Sequence, residues 1–391
     1  MNYPVNPLLG AVAPPPVAEV QGWVAHRDFP PGKPLLDVSQ AVPGYPPDAS
    51  LTSHLAAAVG DPESALYTAI AGMPALRRAL AGHTAALYGG VVETEQVCIT
   101  AGCNQAFCLA MMALAGPGDE VILPLPYYFN HRMWLDMTGV RPVMAPFRPE
   151  AGGVPDADEL AALITPRTRA IALVTPNNPT GAIYSPAAME AYFEVALAHG
   201  AALVVDETYR DFITGGGPPH GLFARPDWRG TLVHLYSFSK VYCLTGYRVG
   251  AVIAGEALQG EIAKAMDCVA ICAPAIGQRA ALYGIEHLAD WRRDKRALMA
   301  DRIATLRRAL RRDDLGYELV SAGAYFAYLR HPFGDEASVD VARRLADDHN
   351  VLCMPGAMFG PGQENYLRFA FANLEADRMP ALAERLVASQ G

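Results

Sequence analysis

The sequence has 391 residues, of which 51% are hydrophobic and 18% are charged, and its 31 basic and 40 acidic side chains give a formal net charge of −9. This composition excludes a disordered chain, and the negative charge argues against a general binder of nucleic acid or anionic membranes, which needs a basic surface. No apolar run is long enough to span a bilayer and the first residues lack the regions of a signal peptide, so we expect a cytoplasmic protein without a disulfide framework.

The first 35 residues are rich in proline, which removes backbone donors and favours extended structure. Within them, Val17, Val20, Trp23 and Val24 are apolar residues at helical spacing. This pattern favours an arm that packs on another surface of the molecule over a disordered tail.

Residues 50–285 alternate short β-branched runs with helical stretches. The predicted strands are 96–100, 120–124, 142–147, 169–175, 202–206, 232–237 and 248–254. Ser185 followed by Pro186 is typical of a helix start, and Gly200 is typical of the end of that helix. Strands that alternate with helices indicate a largely parallel sheet, with a ligand site beyond the carboxyl ends of its strands.

After residue 285 the pattern changes to that of a smaller α+β domain. It predicts helices over 289–312, 338–349 and 375–388, and strands over 317–329, 351–354 and 366–371. The predicted organisation is an N-terminal arm with part of the small domain in residues 1–49, a large domain in 50–285 and a small C-terminal domain in 286–391. The first of these helices carries Arg292, Arg293 and Arg296, and the aspartates interleaved with its arginines favour a solvated helix face over a nucleic-acid site.

The densest chemical signal is the segment Ser237-Phe238-Ser239-Lys240, followed eight residues later by Arg248. An arginine binds phosphate with two parallel N–H donors, a serine hydroxyl donates to it, and a lysine amine forms a Schiff base with an aldehyde. By itself the segment is equally typical of a surface loop.

Three further motifs follow predicted strands. Gly102 permits a tight turn into an apolar helix, at whose start the N–H groups of Cys103 and Asn104 form an anion site. Asn177–Gly181 has the composition of a turn, and Asp206 ends another strand, where a buried acid needs a cation or a helix to cap. Each motif alone is also typical of an ordinary turn or helix start, but all of them lie at the carboxyl ends of strands in one sheet.

Taken in order, these motifs resemble those of the class I and II aminotransferases of the aspartate aminotransferase superfamily, which use pyridoxal phosphate (PLP). The resemblance runs from residue 36 to about residue 371 and includes the segment from Tyr67 to Arg77, NNPTG, DETY and SFSK-x7-R. It implies the α/β fold of PLP-dependent transferases, in which a mostly parallel seven-stranded sheet lies between helices and a smaller α+β domain is attached.

The resemblance also implies roles for the matching residues around the cofactor ring. Lys240 forms the Schiff base with PLP and then moves the proton at the substrate Cα, and Asp206 keeps the pyridine nitrogen protonated. Tyr209 and Asn178 hydrogen-bond the 3-oxygen of the cofactor. Tyr128 stacks on the pyridine ring, unless it is only a core aromatic.

For the cofactor phosphate, the resemblance implies a cradle of main-chain and side-chain donors. These are contributed by Gly102, Cys103, Asn104, Ser237, Ser239 and Arg248. The resemblance further implies that Tyr67 reaches the phosphate of a neighbouring subunit, so that a homodimer completes the active site. No metal is expected.

For the substrate, the resemblance implies that Arg368 holds the α-carboxylate, with Asn178 and the backbone of Ala41 beside it. Ala41 stands where relatives often have glycine, and Asn104 stands where relatives that prefer acidic substrates can have a basic residue. The candidates for an apolar side-chain pocket, for which core packing is an equal explanation, are Tyr45, Tyr128 and Phe359.

The predicted function is the transfer of an amino group from an L-amino acid to a 2-oxo acid. One alternative is a PLP-dependent carbon–sulfur β-lyase of the same fold, because the cofactor-binding motifs are common to both. The other is a non-catalytic sensor with this fold, such as the effector domain of a transcription regulator, which Lys240, Asp206 and Arg368 disfavour. The motifs do not indicate which amino acid or oxo acid is preferred.

Overall fold

The structure is a computed structural model that describes residues 3–391. Its strands are β1 (Leu36–Asp37), β2 (Val97–Thr100), β3 (Glu120–Pro124), β4 (Arg141–Ala145), β5 (Thr168–Val174), β6 (Ala202–Asp206), β7 (Leu232–Ser237), β8 (Gly250–Ile253), β9 (Glu318–Gly323), β10 (Phe326–Arg330), β11 (Val351–Leu352), β12 (Met354–Pro355) and β13 (Tyr366–Ala370). Its α-helices are α1 (Pro7–Gly10), α2 (Pro16–Gly22), α3 (Ala49–Val59), α4 (Pro74–Tyr88), α5 (Cys103–Leu114), α6 (Phe129–Thr138), α7 (Ala157–Ala162), α8 (Pro186–Ala198), α9 (Trp228–Thr231), α10 (Glu256–Ala270), α11 (Ala275–His287), α12 (Ala289–Ala309), α13 (Ser338–His349) and α14 (Met379–Ala388).

The largest sheet has seven strands in the order β2-β8-β7-β6-β5-β3-β4. Neighbouring strands in it run parallel except where β8 is involved, which is antiparallel to both β2 and β7. Most of its strands are buried along their whole length, as expected for a sheet that is covered on both faces. This burial explains the near-continuous apolar sequences, and the predicted mostly parallel seven-stranded sheet is confirmed.

A four-stranded antiparallel sheet, β12-β13-β10-β9, forms after α12, and β1 pairs with β11 in a separate parallel sheet. Here two predicted strands are wrong in extent. Residues 317–329 contain the hairpin of β9 and β10, whose two-residue turn, with Ala324 at φ 46°, has no turn-forming residue to reveal it. Residues 351–354 divide between β11 and β12, which belong to different sheets.

Helix boundaries differ by a few residues from those predicted. Helix α5 runs from Cys103 to Leu114. Ser185 caps α8, as predicted, by accepting a hydrogen bond from the N–H of Ala188. Helix α12 ends at Ala309 rather than residue 312, and α14 begins at Met379 rather than residue 375 because a short 3-10 turn precedes it.

Buried apolar side chains form several clusters. The largest draws its members from residues 51–288, and another joins residues 36–38 to residues 306–386. Helix α2 of the N-terminal arm packs through Val20 against Phe129, Met354 and Phe359. The division of the chain into domains at residues 49 and 285 stays a prediction. Among the helices of residues 3–391, none is both long and apolar enough to cross a membrane.

The strands β2, β5, β6 and β7 end at the same edge of the large sheet. Strand β6 ends at Asp206, β7 ends at Ser237, and Asn178 follows the end of β5. Helix α5 begins at Cys103, directly after the turn that leaves β2. Because the carboxyl ends of parallel strands meet at one edge, these residues converge there.

Candidate active site

A cavity of about 250 Å³ opens at this edge of the sheet. Ten of the predicted site residues line it: Cys103, Asn104, Tyr128, Asn178, Asp206, Tyr209, Ser237, Ser239, Lys240 and Arg248. Five residues that were not predicted line it as well: Gln40, Val42, Val174, Thr208 and Thr245. The other four predicted residues, Ala41, Tyr67, Gly102 and Arg368, do not line this cavity.

Lys240 lies just beyond the end of β7, with its amine inside the cavity. The Nζ donates a hydrogen bond of 2.6 Å to the carbonyl of Ala41 and lies 5.9 Å from the centre of the Tyr209 ring. Removal of the amine from bulk water, and secondarily the charges of Arg248 and Arg368, lower the pKa of Lys240 to about 8. The neutral and therefore nucleophilic form of the amine is much more populated here than in an exposed lysine.

Asp206 presents a buried carboxylate on another wall of the cavity. Its Oδ1 accepts a hydrogen bond of 3.0 Å from the N–H of Thr208, and its Oδ2 lies 3.4 Å from Nε2 of His131. Burial opposes ionisation of this carboxyl, but His131 and the hydrogen bonds from Thr208 outweigh it, so the pKa of Asp206 is lowered. The cavity is therefore lined by a fixed carboxylate anion as well as by the amine of Lys240.

His131 is a member of this site that the sequence analysis missed. It lies on α6, buried, with its ring stacked on that of Phe107 at 3.7 Å between centroids. A single histidine within an amphipathic helix has no motif around it, so no sequence signal singles it out. His131 is identified as a site residue only by the short distance between its Nε2 and the Asp206 carboxylate in the structure.

The turn from β2 into α5 forms an anion cradle with Arg248. Gly102, at φ 85°, has no room for a side chain, because a Cβ there would overlap the guanidinium of Arg248. A Cβ at Gly250 would lie 2.7 Å from the backbone nitrogen of Cys103, so the start of α5 lies directly against β8. The arginine is oriented by hydrogen bonds from Nη1 to the carbonyl of Thr245 at 3.0 Å and from Nη2 to that of Ala101 at 3.3 Å.

The two serines complete this cradle from the end of β7. Both Ser237 and Ser239 are buried and line the cavity, and the Ser237 hydroxyl accepts a hydrogen bond of 3.2 Å from the N–H of Ser239. The free N–H groups at the start of a helix, two hydroxyls and a guanidinium form a donor set that is suited to a phosphate.

Arg368, on β13, is buried behind Asn178. Its Nη1 donates to the side-chain oxygen of Asn178 at 3.1 Å, its Nη2 donates to the carbonyl of Ser39, and its Nε has no hydrogen-bond partner within residues 3–391. The guanidinium carbon lies 5.2 Å from the ring centre of Phe326 and 5.1 Å from that of Phe359. Burial lowers the pKa of Arg368 to about 10, so this cation would gain from a carboxylate partner.

Two tyrosines stand on the walls of the cavity. The Tyr128 hydroxyl donates to the side-chain oxygen of Asn104 at 3.4 Å, and its ring meets that of His131 edge-on at 5.1 Å. Burial raises the pKa of Tyr209 well above its usual value, so its phenol stays a hydrogen-bond donor. The sequence favours an apolar substrate pocket and core packing equally for Tyr45 and Phe359. Neither residue lines this cavity.

Ala41 and Tyr67 lie apart from the cradle. The carbonyl of Ala41 accepts the hydrogen bond of Lys240, while the predicted contact of its backbone with a substrate carboxylate stays a prediction. Tyr67 is 78% exposed and does not reach the cavity of its own chain. Residues 3–391 contain no group of three or more histidine, cysteine, aspartate or glutamate side chains that is placed to hold a metal ion.

Comparison of the sequence with known proteins gives consistent matches. The model of the family aminotransferase class I and II matches residues 41–386. The aromatic aminotransferase ISS1 of Arabidopsis thaliana is 30% identical over 380 residues, which cover 95% of this chain and 92% of that protein. The arginine–pyruvate transaminase AruH of Pseudomonas aeruginosa is 33% identical over 314 residues, which cover 77% of each chain.

Solved structures match over nearly the whole chain. The aspartate aminotransferase from Thermus thermophilus with maleate has a TM-score of 0.90 at 25% identity and covers 99% of this chain and 100% of its own. YbdL from Escherichia coli, described with a methionine aminotransferase function, has a TM-score of 0.86 at 25% identity and covers 96% of this chain and 98% of its own. These relatives are named for different amino acids, so the similarity identifies family and fold and leaves the substrate open.

Proposed function

This chain belongs to the class I and II aminotransferases and uses pyridoxal phosphate to move amino groups between amino acids and 2-oxo acids, and within that activity we propose that Lys240 is the catalytic amine. The observation that carries the proposal is the placement of three groups in one cavity. These are an amine whose pKa is lowered to about 8, a fixed carboxylate and an anion cradle.

The cavity fits the cofactor on the evidence of its own residues. Because Gly102 has no Cβ, the Arg248 guanidinium packs directly against the turn before α5, so the guanidinium and the first N–H groups of α5 lie side by side, as a phosphate site requires. Asp206 supplies the ionised carboxylate that suits a protonated ring nitrogen, and Lys240 supplies the amine that suits an aldehyde. When bound, PLP supplies that aldehyde together with a ring that accepts electron density from the substrate Cα.

We assign the binding of the phosphate to Arg248, the hydroxyls of Ser237 and Ser239, and the first N–H groups of α5. Asp206 would hold the ring nitrogen protonated, and His131 would position Asp206 through its Nε2. The Tyr209 phenol, which burial keeps protonated, would donate to the ring oxygen. Together these residues would hold the cofactor beside the amine of Lys240.

The chemical step assigned to Lys240 is proton movement at the substrate Cα. Its neutral Nζ accepts that proton as a general base and returns it as an ammonium, for which a pKa of about 8 is well matched to neutral solution. Arg368 binds the substrate carboxylate with its planar fork, and the unpartnered Nε and the lowered pKa of this arginine favour such an anion. Asn178, which already accepts from Arg368, holds the fork in place.

An absorbance titration of the PLP-loaded protein tests this function. Amino acids are added singly with no oxo acid present, and we expect the visible cofactor band to convert to the pyridoxamine form. The most effective amino acid identifies the donor class. A cofactor band that persists while pyruvate or a thiol is released would instead indicate the carbon–sulfur lyase, and no band after PLP addition would refute the assigned site.

We further propose that two copies of this chain form the active enzyme. Exposed apolar side chains lie in two segments near α11, namely Leu66, Tyr67, Ile70, Val269 and Ile271. Gln278 joins these segments, because its side chain donates both to Thr68 at 3.0 Å and to the carbonyl of Ala273 at 2.8 Å. A contiguous apolar surface of this kind favours burial against a second copy.

In the proposed dimer, the Tyr67 hydroxyl reaches the phosphate bound by the partner. Tyr67→Phe should therefore weaken PLP affinity about tenfold without dissociating the dimer, as measured by cofactor titration and analytical ultracentrifugation. Tyr3→Phe is the matched control, because Tyr3 is also a largely exposed tyrosine, at 71%. Equal PLP affinity in both variants, or a monomeric active enzyme, would contradict this arrangement.

A further inference from the structure

A second cavity, of about 230 Å³, lies behind the segment that carries Asp206. It is enclosed by α4, by the 3-10 turn Arg210–Phe212 and by α12. Four arginines contribute to its lining, together with one histidine and one carboxylate: Arg210, Arg292, Arg293, Arg296, His83 and Asp211. We refer to it as the arginine cavity. It shares no lining residue with the cofactor cavity.

Arg210 is the most unusual member of the arginine cavity. Only 3% of it is exposed, and within residues 3–391 it makes no ion pair. Its guanidinium carbon lies 3.7 Å from the ring centre of Tyr236, and its Nη1 donates to the Tyr88 hydroxyl at 3.4 Å. Both Nε and Nη2 are buried without a hydrogen-bond partner in the described residues. Unpaired donors on a buried cation are energetically costly, so Arg210 would gain from a further anion nearby.

The surrounding carboxylates make no hydrogen bond to Arg210. Burial opposes the charge of Arg210, but the nearby Tyr88, Tyr236, Asp211 and Glu207 outweigh it and raise the pKa of this arginine. The Oε2 of Glu207 lies 2.8 Å from Nε2 of His234 and accepts from the Tyr88 hydroxyl, and its Oε1 is buried without a partner in the described residues. Asp211 accepts a hydrogen bond of 2.8 Å from Tyr236, and Asp290 is paired with Arg293 at 2.7 Å. None of these acceptors satisfies the free nitrogens of Arg210.

The α12 side of the cavity also has spare donors. Arg292 donates from Nη1 to Nε2 of His83 at 2.8 Å, while its Nε is buried without a partner within residues 3–391. Burial, and then the charges of Arg210 and Arg292, lower the pKa of His83 to about 4, while Asp211 opposes this shift. The sequence pattern predicts a solvated helix face here, and Arg293 and Arg296 are indeed exposed. Arg292 differs, because it is half-buried and donates to His83 on α4.

We propose that the arginine cavity binds a small phosphate-type dianion, either inorganic phosphate or the phosphate group of a metabolite. Guanidinium groups offer parallel N–H donors that match phosphate oxygens, and several of them on two sides of one cavity can share the two charges. The anion would lie against guanidinium groups from the Arg210–Phe212 turn and from α12, and it would connect α12 to the segment that follows Asp206. The arginine cavity shares no lining residue with the cofactor cavity, so bound PLP would not occupy it.

The test uses the PLP-loaded enzyme, in which the cofactor cradle is already occupied. Binding of inorganic phosphate is measured by isothermal titration calorimetry at constant ionic strength, with chloride as the balancing anion. Arg292→Gln and Arg296→Gln should each raise the Kd about tenfold or more, because each removes a charged donor. Arg308→Gln is the matched control, since it removes one exposed arginine from the same helix away from the cavity and should leave the Kd unchanged.

The result has clear alternatives. Absence of phosphate binding up to the millimolar range, or the same Kd in all three variants, would overturn the proposal. Retained PLP absorbance in each variant shows that folding is preserved, so a lost phosphate signal can be assigned to the cavity. A parallel titration with glycerol phosphate distinguishes the sources: tighter binding than inorganic phosphate indicates a phosphorylated metabolite, and equal or weaker binding indicates the free ion.

Discussion

The two neighbouring carboxylates at the end of β6 are both buried, and each has a pKa below its usual value, yet they belong to different regions of the molecule. Asp206 lines the cofactor cavity and is flanked by one histidine, His131, at 3.4 Å. Glu207 lies in an enclosed cluster where His220 is at 3.4 Å and His234 at 2.8 Å. The same device, a histidine beside a buried acid, is used on both sides.

The two carboxylates differ in their surroundings: Glu207 contacts only protein groups, whereas Asp206 also lines a cavity. The contacts of Glu207 are all made by protein groups, which come from α4, from the segment before Leu222 and from β7, so it ties these elements together. Asp206 has a protein partner on one side and open space on the other. A carboxylate whose contacts are all with protein groups contributes to folding, whereas a carboxylate that faces a cavity is available to a ligand.

The largest expected effect comes from removing the amine on the cavity side. Lys240→Ala should abolish borohydride-fixed PLP and lower turnover by more than about 10⁴-fold, since it removes both the Schiff-base amine and the proton acceptor. Activity assays and mass spectrometry of the reduced protein measure these losses. Lys295→Ala is the control, because that lysine lies over the Trp291 ring at 4.1 Å and does not line the cavity. Normal turnover in the Lys240 variant would remove the central assignment.

The next effect tests the comparison of the two carboxylates directly. Asp206→Asn should lower kcat by about 10²–10³-fold with little loss of stability, because the amide still accepts from Thr208 but no longer favours a protonated ring nitrogen. Glu207→Gln should do the reverse and lower the free energy of unfolding by about 3 kcal/mol, because two histidines and Tyr88 lose a charged partner.

Steady-state kinetics and denaturant unfolding of the apo forms measure both variants side by side. Each variant serves as the matched control of the other, since both replace an acid by its amide at adjacent positions. If Glu207→Gln lost as much kcat as Asp206→Asn while its stability were unchanged, the division between the two regions would fail.

The same division separates what the sequence predicts well from what it does not. The residues of the cofactor cavity occupy short motifs at strand ends, because a phosphate cradle and a tight strand–helix turn demand particular residues at fixed spacing. Ten of them therefore meet in one cavity as expected. The large sheet was also predictable, since strands covered on both faces have continuous apolar sequences.

The region behind Asp206 had no such signal. Its members come from distant parts of the chain, such as Tyr88, Arg210, His220 and His234, and none of them stands in a recurring pattern. His131 was missed for the same reason. The sequence predicts a single strand where the hairpin after α12 lies, because the turn of that hairpin consists of an alanine and a tyrosine, which have no turn preference. Contacts that depend on tertiary packing are not encoded at fixed spacing.

A smaller effect is expected for Arg368, the buried arginine behind Asn178. Arg368→Lys should raise the KM for the amino acid about tenfold to hundredfold with a smaller change in kcat, because a lysine keeps the charge but loses the fork that grips a carboxylate. Arg308→Lys is the exposed control and should change neither constant. An unchanged KM in the Arg368 variant would assign the carboxylate site to other residues.

The smallest effect concerns pH, and it follows from the burial of the Lys240 amine, which disfavours its charged form. Only a neutral amine attacks an aldehyde, so the rate of PLP uptake by the apoenzyme should rise with pH and level off above about pH 8, where Lys240 has lost its proton. A lysine with an ordinary pKa of about 10.4 would make the rate rise for about two further units. Stopped-flow absorbance gives this profile.

Arg368→Gln should move the midpoint of this pH profile upward by less than about one unit, because burial rather than the neighbouring arginines is the main cause of the lowered pKa of Lys240. A midpoint near 10 in the unmodified enzyme would show that the amine is not held in the desolvated position that distinguishes this side of β6.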